Sequence, residues 1–156
     1  MKKAFLSLAI ILSFILGCHF VPINATAKSD FPISYYEYYD NGYYAEIAVN
    51  INYVDAVNSI ISGYKTYYYY DSSNQILWSY TLYGTFSYNG STATCTNTDD
   101  SYNINNSNWH NDSHGHYGSG NTAYGSVTMK KKVLGITVDT VTKNVSLSCS
   151  PDGTLY

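Results

Sequence analysis

The stretch Ile76-Leu77-Trp78-Ser79-Tyr80-Thr81-Leu82-Tyr83-Gly84-Thr85-Phe86-Ser87-Tyr88 decides the fold. Trp78, Tyr80, Leu82, Gly84, Phe86 and Tyr88 share one parity, and Leu77, Ser79, Thr81, Tyr83, Thr85 and Ser87 share the other. Successive side chains of a strand point to opposite faces, so this pattern is a half-buried strand with the Trp78 face in the core. Gly84 within that face marks a bulge or the close approach of a bulky neighbour.

The same period of two runs outward in both directions. Upstream, Tyr43, Ala45, Ile47, Val49, Ile51 and Tyr53 alternate with Tyr44, Glu46, Ala48, Asn50 and Asn52. Before them, Ile33 to Tyr39 is joined through Asp40-Asn41-Gly42, where Asn-Gly suits a tight hairpin with two positive φ angles. Val54 to Ser59 reads as a turn or a single helical turn. Ile60 to Tyr70 is an aromatic strand that Asp71-Ser72-Ser73-Asn74 ends. Downstream, Asn89-Gly90 is a second hairpin signal leading into a strand from Ser91 to Asn97. Thr98 to Ser107 accommodates one short strand and Asn108 to Tyr117 another, built around Trp109. Gly118-Ser119-Gly120-Asn121 turns the chain into Thr122 to Lys132. The last strand runs from about Gly135 to Cys149. Its apolar parity changes between Ile136 with Val138 and the set Val141, Val145 and Leu147, which predicts a bulge near Asp139 or Thr140. With eight or nine such strands, no helical period after the leader and no repeat, the chain is all-β: an antiparallel two-layer β-sandwich, with a closed β-barrel as the alternative.

The first 27 residues read as a signal peptide and residues 28–156 as a single all-β domain. Lys2 and Lys3 precede the apolar run Ala4 to Gly17, which is long enough for a signal-peptide core and too short to span a bilayer. Two processing sites compete. Ala25-Thr26-Ala27 suits cleavage before Lys28 and a secreted, extracellular product. Ile15-Leu16-Gly17-Cys18 resembles a bacterial lipobox and would leave a lipidated Cys18, anchoring the protein at the cell surface. Only that second route brings a membrane into the picture. On either route Cys95 and Cys149 remain, and an even pair in an exported chain reads as a disulfide rather than as a free catalytic thiol. Closing a loop of roughly 50 residues contributes about 4 kcal/mol in the chain-entropy model.

Composition works mainly by exclusion. The 156 residues include 19 tyrosines against 8 lysines and arginines together, all of them lysine, with a formal charge of -3. A chain without a basic footprint, and without the arginine that reads phosphates and guanines in bidentate fashion, is not a nucleic-acid binder. Its lysine-only basic set resembles the composition of low-GC Gram-positive bacteria. No nucleophile elbow, zinc-protease helix, phosphate loop or zinc-type cysteine pair occurs, and the only glutamates, Glu37 and Glu46, are not spaced as an acid/base pair. No catalytic residue is therefore expected.

Three polar or aromatic clusters remain. His110, His114 and His116 share one parity in Trp109-His110-Asn111-Asp112-Ser113-His114-Gly115-His116, an arrangement that zinc or copper could use with Asp112 as a further ligand; the alternative is a solvated loop with no cofactor expected. Tyrosines at Tyr35, Tyr36, Tyr38, Tyr39, Tyr43, Tyr44 and from Tyr67 to Tyr70 put rings on both faces of their strands. Surplus rings, Tyr35, Tyr36, Tyr38, Tyr39, Tyr67 and Tyr69 among them, are candidate surface aromatics for stacking on sugars or adhering to a polymer. Lys130-Lys131-Lys132 is a short basic run, read as keeping a strand end solvated and blocking edge pairing.

The segment Trp78 to Tyr156, about half the chain, resembles a group of small secreted proteins of clostridia and bacilli without an assigned function. The likeness rests on Leu82-Tyr83-Gly84-Thr85-Phe86-Ser87-Tyr88-Asn89-Gly90, Cys95, Asn108-Trp109, Ser119-Gly120-Asn121-Thr122-Ala123, Val133-Leu134-Gly135, and Leu147-Ser148-Cys149 followed by Gly153-Thr154-Leu155. It implies export and a Cys95 to Cys149 pairing and brings no catalytic residues. The expected function is a non-enzymatic surface or extracellular interaction module that binds a cell-wall or extracellular polymer, or a protein partner, through exposed aromatics. A secreted inhibitor, immunity or bacteriocin-like factor is the alternative, and metal binding the third. A mass measurement of the mature protein separates a chain that starts at Lys28 from one that starts at a lipidated Cys18. The same spectrum reports whether Cys95 and Cys149 are oxidised.

Overall fold

The computed structural model describes residues 33–156; the expected signal peptide, its two candidate processing sites and Cys18 lie outside the described residues. Eight strands follow in chain order: β1 (Ile33–Tyr38), β2 (Tyr44–Asp55), β3 (Ile60–Tyr70), β4 (Ile76–Tyr88), β5 (Ala93–Ile104), β6 (Trp109–Ser119), β7 (Thr122–Val133) and β8 (Ile136–Ser148). They form a five-stranded sheet in the order β1-β2-β3-β4-β5 and a three-stranded sheet in the order β6-β7-β8, all neighbours antiparallel. The two sheets pack face to face as a β-sandwich, and no barrel closes. The Ser91–Asn97 and Thr98–Ser107 segments are one strand, β5, because an extra residue at Thr96 keeps the ladder going: Phe86 opposes Cys95 and Thr85 opposes Asn97. Likewise the bulge expected near Asp139 sits at Val138, between the pairs Lys131 with Asp139 and Lys132 with Thr137.

The core is the Trp78 face of β4. Trp78, Tyr80, Leu82 and Phe86 are each 0% exposed. At Gly84 the close-approach reading holds, since a Cβ there would sit 2.7 Å from the Phe86 ring and 3.3 Å from Ala123. Tyr67 and Tyr69 belong to this core and not to the surface. Tyr67 lies opposite Ile47 and Tyr80, and Tyr69 opposite Ala45 and Trp78, so both have core parity, and each is 3% exposed. Their rings stack on Trp78 at 5.5 and 5.0 Å, and Tyr69 meets Trp109 edge-on at 5.7 Å. Burial of each such ring contributes on the order of 2 kcal/mol. The outward rings of β3 are Tyr64, Tyr68 and Tyr70. Tyr39 is half-buried, its hydroxyl 2.5 Å from that of Tyr67 and 3.0 Å from Glu37 Oε2.

Neither Asn-Gly pair forms the expected turn with two positive φ angles. Gly42 and Gly90 have φ of 78° and 83°, whereas Asn41 and Asn89 stay at negative φ and instead cap the loop with their side chains. The first loop closes through Tyr39 N–H to Tyr43 O and Gly42 N–H to Tyr39 O, the pattern of a three-residue hairpin loop ending in a left-handed glycine. The tight turn with two positive φ angles is Leu134-Gly135, at 51° and 81°.

Two consequences are measurable. Gly125 faces Tyr80, and a Cβ there would collide with the Tyr80 hydroxyl and stand 3.0 Å from Leu82. Gly125→Ala is expected to lower stability by about 1–3 kcal/mol in urea unfolding, part of which Tyr80→Phe restores in the double variant. Burial, helped by the Tyr39 hydroxyl, pushes Tyr67 well above the usual tyrosine range, and burial takes Tyr69 and Tyr70 to about 12. Protons held above the ordinary value favour the folded state up to about pH 10, and this contribution is lost as pH climbs through the folded values. Urea midpoints should therefore fall steeply between about pH 10 and 12, with a shallower fall in Tyr67→Phe.

Candidate functional site

The histidine cluster divides at a bulge. Asn111 opposes Met129 and Ser113 opposes Thr128, so Asp112 is the extra residue and shifts the parity of everything after it. His110, opposite Lys130, consequently points to the outer face with Ser113, while His114 and His116, opposite Val127 and Gly125, point toward β5. The three imidazoles do not share a surface. Asp112 is also taken, its Oδ1 lying 2.9 Å from Lys130 Nζ.

What His114 and His116 meet instead is the acidic pair of β5. Asp100 lies opposite Leu82, on core parity, and its side chain is only 5% exposed. Its Oδ2 accepts from Tyr80 Oη at 3.0 Å and lies 3.0 Å from His114 Nδ1. Its other oxygen, Oδ1, is 3.9 Å from His116 Nε2, and Asp99 Oδ1 is 4.0 Å from the same nitrogen. Thr98 Oγ1 holds His116 Nδ1 at 2.8 Å, and the Tyr102 ring packs edge-on against His114 at 5.0 Å. The cluster lies on the seam where the edge strand of one sheet faces the edge strand of the other. A carboxylate at a core position was the signal that could have located it, once β5 is laid against β4.

Aromatic rings form a second constellation on the outer face of the five-stranded sheet. Tyr36, Tyr38, Tyr44 and Tyr70 touch in succession across β1, β2 and β3. The Tyr36 centroid is 6.4 Å from Tyr38 and 6.2 Å from Tyr44, Tyr38 is 5.9 Å from Tyr44, and Tyr44 stacks on Tyr70 at 4.6 Å and 3°. Tyr36 is 50% exposed and Tyr38 78%. Further along the same face Tyr64 meets Tyr83 at 5.8 Å, while Thr66 with Thr81 and Ser62 with Thr85 form hydroxyl pairs at 3.0 and 2.9 Å. Tyr35 points to the other face of β1 and is 49% exposed. On the outer face of the smaller sheet, a shallow groove over Gly115, Ser126 and Asn144 is walled by Tyr117 stacked on Tyr124 at 5.0 Å.

Cys95 and Cys149 stand as separate thiols and not as the expected disulfide. Each faces its own carbonyl, Cys95 Sγ that of Asn97 at 3.5 Å and Cys149 Sγ that of Ser150 at 3.3 Å. Their amides nevertheless bond consecutive carbonyls of one turn, Cys95 N–H to Gly120 O and Cys149 N–H to Asn121 O. Burial raises both thiols, Cys149 to about 11, which suppresses the thiolate a nucleophile requires.

The lysine run blocks no edge, because β7 is the middle strand of its sheet. Lys130 pairs with Asp112, and Lys131 lies 3.5 Å from Tyr43 Oη. Beyond it the β7–β8 hairpin tip exposes Val133, Leu134, Ile136 and Val138 at 44%, 98%, 68% and 55%. No family model, no curated protein and no solved structure matches this chain.

Proposed function

We propose that the protein is an exported, non-enzymatic interaction module that binds a cell-wall or extracellular polysaccharide along the tyrosine row of its five-stranded sheet. The observation that supports this reading is the contact of Tyr36, Tyr38, Tyr44 and Tyr70 across three strands, with Tyr36 and Tyr38 half or more exposed on a face that nothing in the described chain covers. Tyrosine presents a flat apolar surface to the apolar face of a sugar ring and a hydroxyl to its edge, with two side-chain torsions to order. Glu46, beside Tyr36 in the ladder and 3.2 Å from Tyr70 Oη, adds an acceptor for sugar hydroxyls. Export from a Gram-positive cell, by cleavage at Ala27 or lipidation at Cys18, puts this face in contact with such polymers. Oxidation of Cys95 and Cys149 in that compartment would join β5 to the segment after β8 across the Gly120-Asn121 turn.

Affinity electrophoresis through gels containing wall and plant polysaccharides tests the reading. The wild-type chain is expected to be retarded on at least one polymer, and the Tyr36→Ala, Tyr38→Ala variant to lose about tenfold or more of that affinity with an unchanged melting temperature, because both rings lie outside the core. Migration unaffected by every polymer removes the carbohydrate reading.

The alternative is a secreted inhibitor, immunity or bacteriocin-like factor that contacts a protein. The exposed apolar hairpin tip favours it: Leu134 gains no burial at 98% exposure and holds a left-handed backbone conformation that a leucine adopts at some cost. Growth competition between a deletion strain and its neighbours distinguishes antagonism from adhesion.

A further inference from the structure

We propose that Asp99, Asp100 and His116 bind one divalent transition cation of the zinc class at the seam between β5 and β6, with Thr98, His114 and Tyr80 positioning the ligands. This is a separate site from the tyrosine row and does not depend on polymer binding. Its ligand set also differs from the three histidines suggested by parity alone.

The geometry is that of a ligand set slightly opened. His116 Nε2 lies 4.0 Å from Asp99 Oδ1 and 3.9 Å from Asp100 Oδ1, and the three ligand atoms all fall within 4.8 Å of one another. Those separations are too long for hydrogen bonds. Two ligands of one tetrahedral ion at 2.0–2.2 Å stand about 3.4 Å apart, so His116 Nε2 has to approach each carboxylate oxygen by roughly half an ångström. The other ring nitrogen of His116 lies 2.8 Å from Thr98 Oγ1. When Nδ1–H donates to that hydroxyl, Nε2 presents its lone pair to the gap, which is the tautomer a metal ligand needs.

Asp100 supplies an independent observation. Its side chain is 95% shielded, its Oδ2 is occupied by Tyr80 and His114, and its Oδ1 has no hydrogen bond among the described residues and faces His116. A carboxylate anchored through one oxygen, with the other free of protein hydrogen bonds and reachable from solvent, is placed to take a cation. The lysine ion pairs among the described residues go to Asp112 and Glu37 and not to this site. Tyr80 and His114 fix the carboxylate's orientation as outer-shell partners do for bound metals. One imidazole and two carboxylates match a borderline cation. Calcium would need six to eight oxygens and copper(I) would need sulfur, and neither is present in the set. Asp99 is 74% exposed and His116 33%, so the remaining coordination positions open to solvent or to an external ligand.

The test uses the mature protein after chelator treatment and the metal alone as probe. Zinc chloride should bind at one equivalent by calorimetry and, at a hundredfold excess over Kd, raise the melting temperature by on the order of 8 °C, with calcium chloride giving no shift. His116→Gln and Asp99→Asn should each weaken binding about tenfold or more, Thr98→Val should weaken it less, and His110→Gln should leave it unchanged. Asp99 is largely exposed, so its variant folds and keeps the test decisive if changes at Asp100 do not. Three results overturn the assignment: no zinc binding by the wild-type chain up to about millimolar metal, undiminished binding in both His116→Gln and Asp99→Asn, or binding abolished by thiol alkylation, which places the ion on Cys95 and Cys149.

Discussion

The hydroxyl of Tyr80 has to find acceptors deep between two sheets, and much of the architecture answers that requirement. Its ring is fully shielded, and its one proton lies between Asp100 Oδ2 at 3.0 Å on the same sheet and the carbonyl of Gly115 at 3.2 Å on the other. An unpaired hydroxyl at that depth would cost roughly 1–3 kcal/mol. Three features meet at it: a carboxylate at a core position of β5, an accessible carbonyl on β6, and no side chain at Gly125, where a Cβ would displace the oxygen. The aromatic stack of Tyr67, Tyr69, Trp78 and Trp109 then fills the adjoining space. Apolar burial supplies the driving force for bringing the sheets together, and the Tyr80 bonds select the register in which they meet.

The elements of the sandwich were readable because alternation is a local property. Ile76 to Tyr88 announces its own two faces, and the bulge near Asp139 shows as a change of parity. Faces that depend on a partner were not readable in the same way. Tyr67 and Tyr69 look like surplus rings until β3 is placed between β2 and β4, when they fall beside Ile47 and Trp78. The extra residue at Asp112 is invisible in composition, yet it sends His110 to one face and His114 with His116 to the other. Asp99 and Asp100 lay in a polar stretch with no apolar alternation to mark its register. Only the pairing of Asp100 with Leu82 shows that an acidic residue occupies a core position.

The two side-chain clusters lie at separate places in the molecule. The histidines and aspartates collect at the β5–β6 seam, where two edge strands face each other, while the tyrosine row occupies the outer face at the β1 end. Between them Lys143 reaches from β8 toward β1, its ammonium 4.7 Å from the Tyr39 ring, 5.4 Å from the Tyr67 ring and 3.3 Å from Glu37 Oε2. Partial burial works against its charge, but bonds to Tyr39 and Glu37 outweigh that and raise its pKa. That contact holds the first hairpin against the smaller sheet, as cation–π and ion-pair contacts at half-buried positions do.

The chain has two tryptophans, and the fold puts one on each sheet: Trp78 on β4 and Trp109 on β6, both shielded, with ring centroids 6.2 Å apart. At that spacing the indoles share excitation and couple in circular dichroism, and both effects vanish once the layers part. The molecule thus carries a built-in optical gauge of sheet docking, one that distinguishes loss of strand structure from separation of two intact sheets without any attached label.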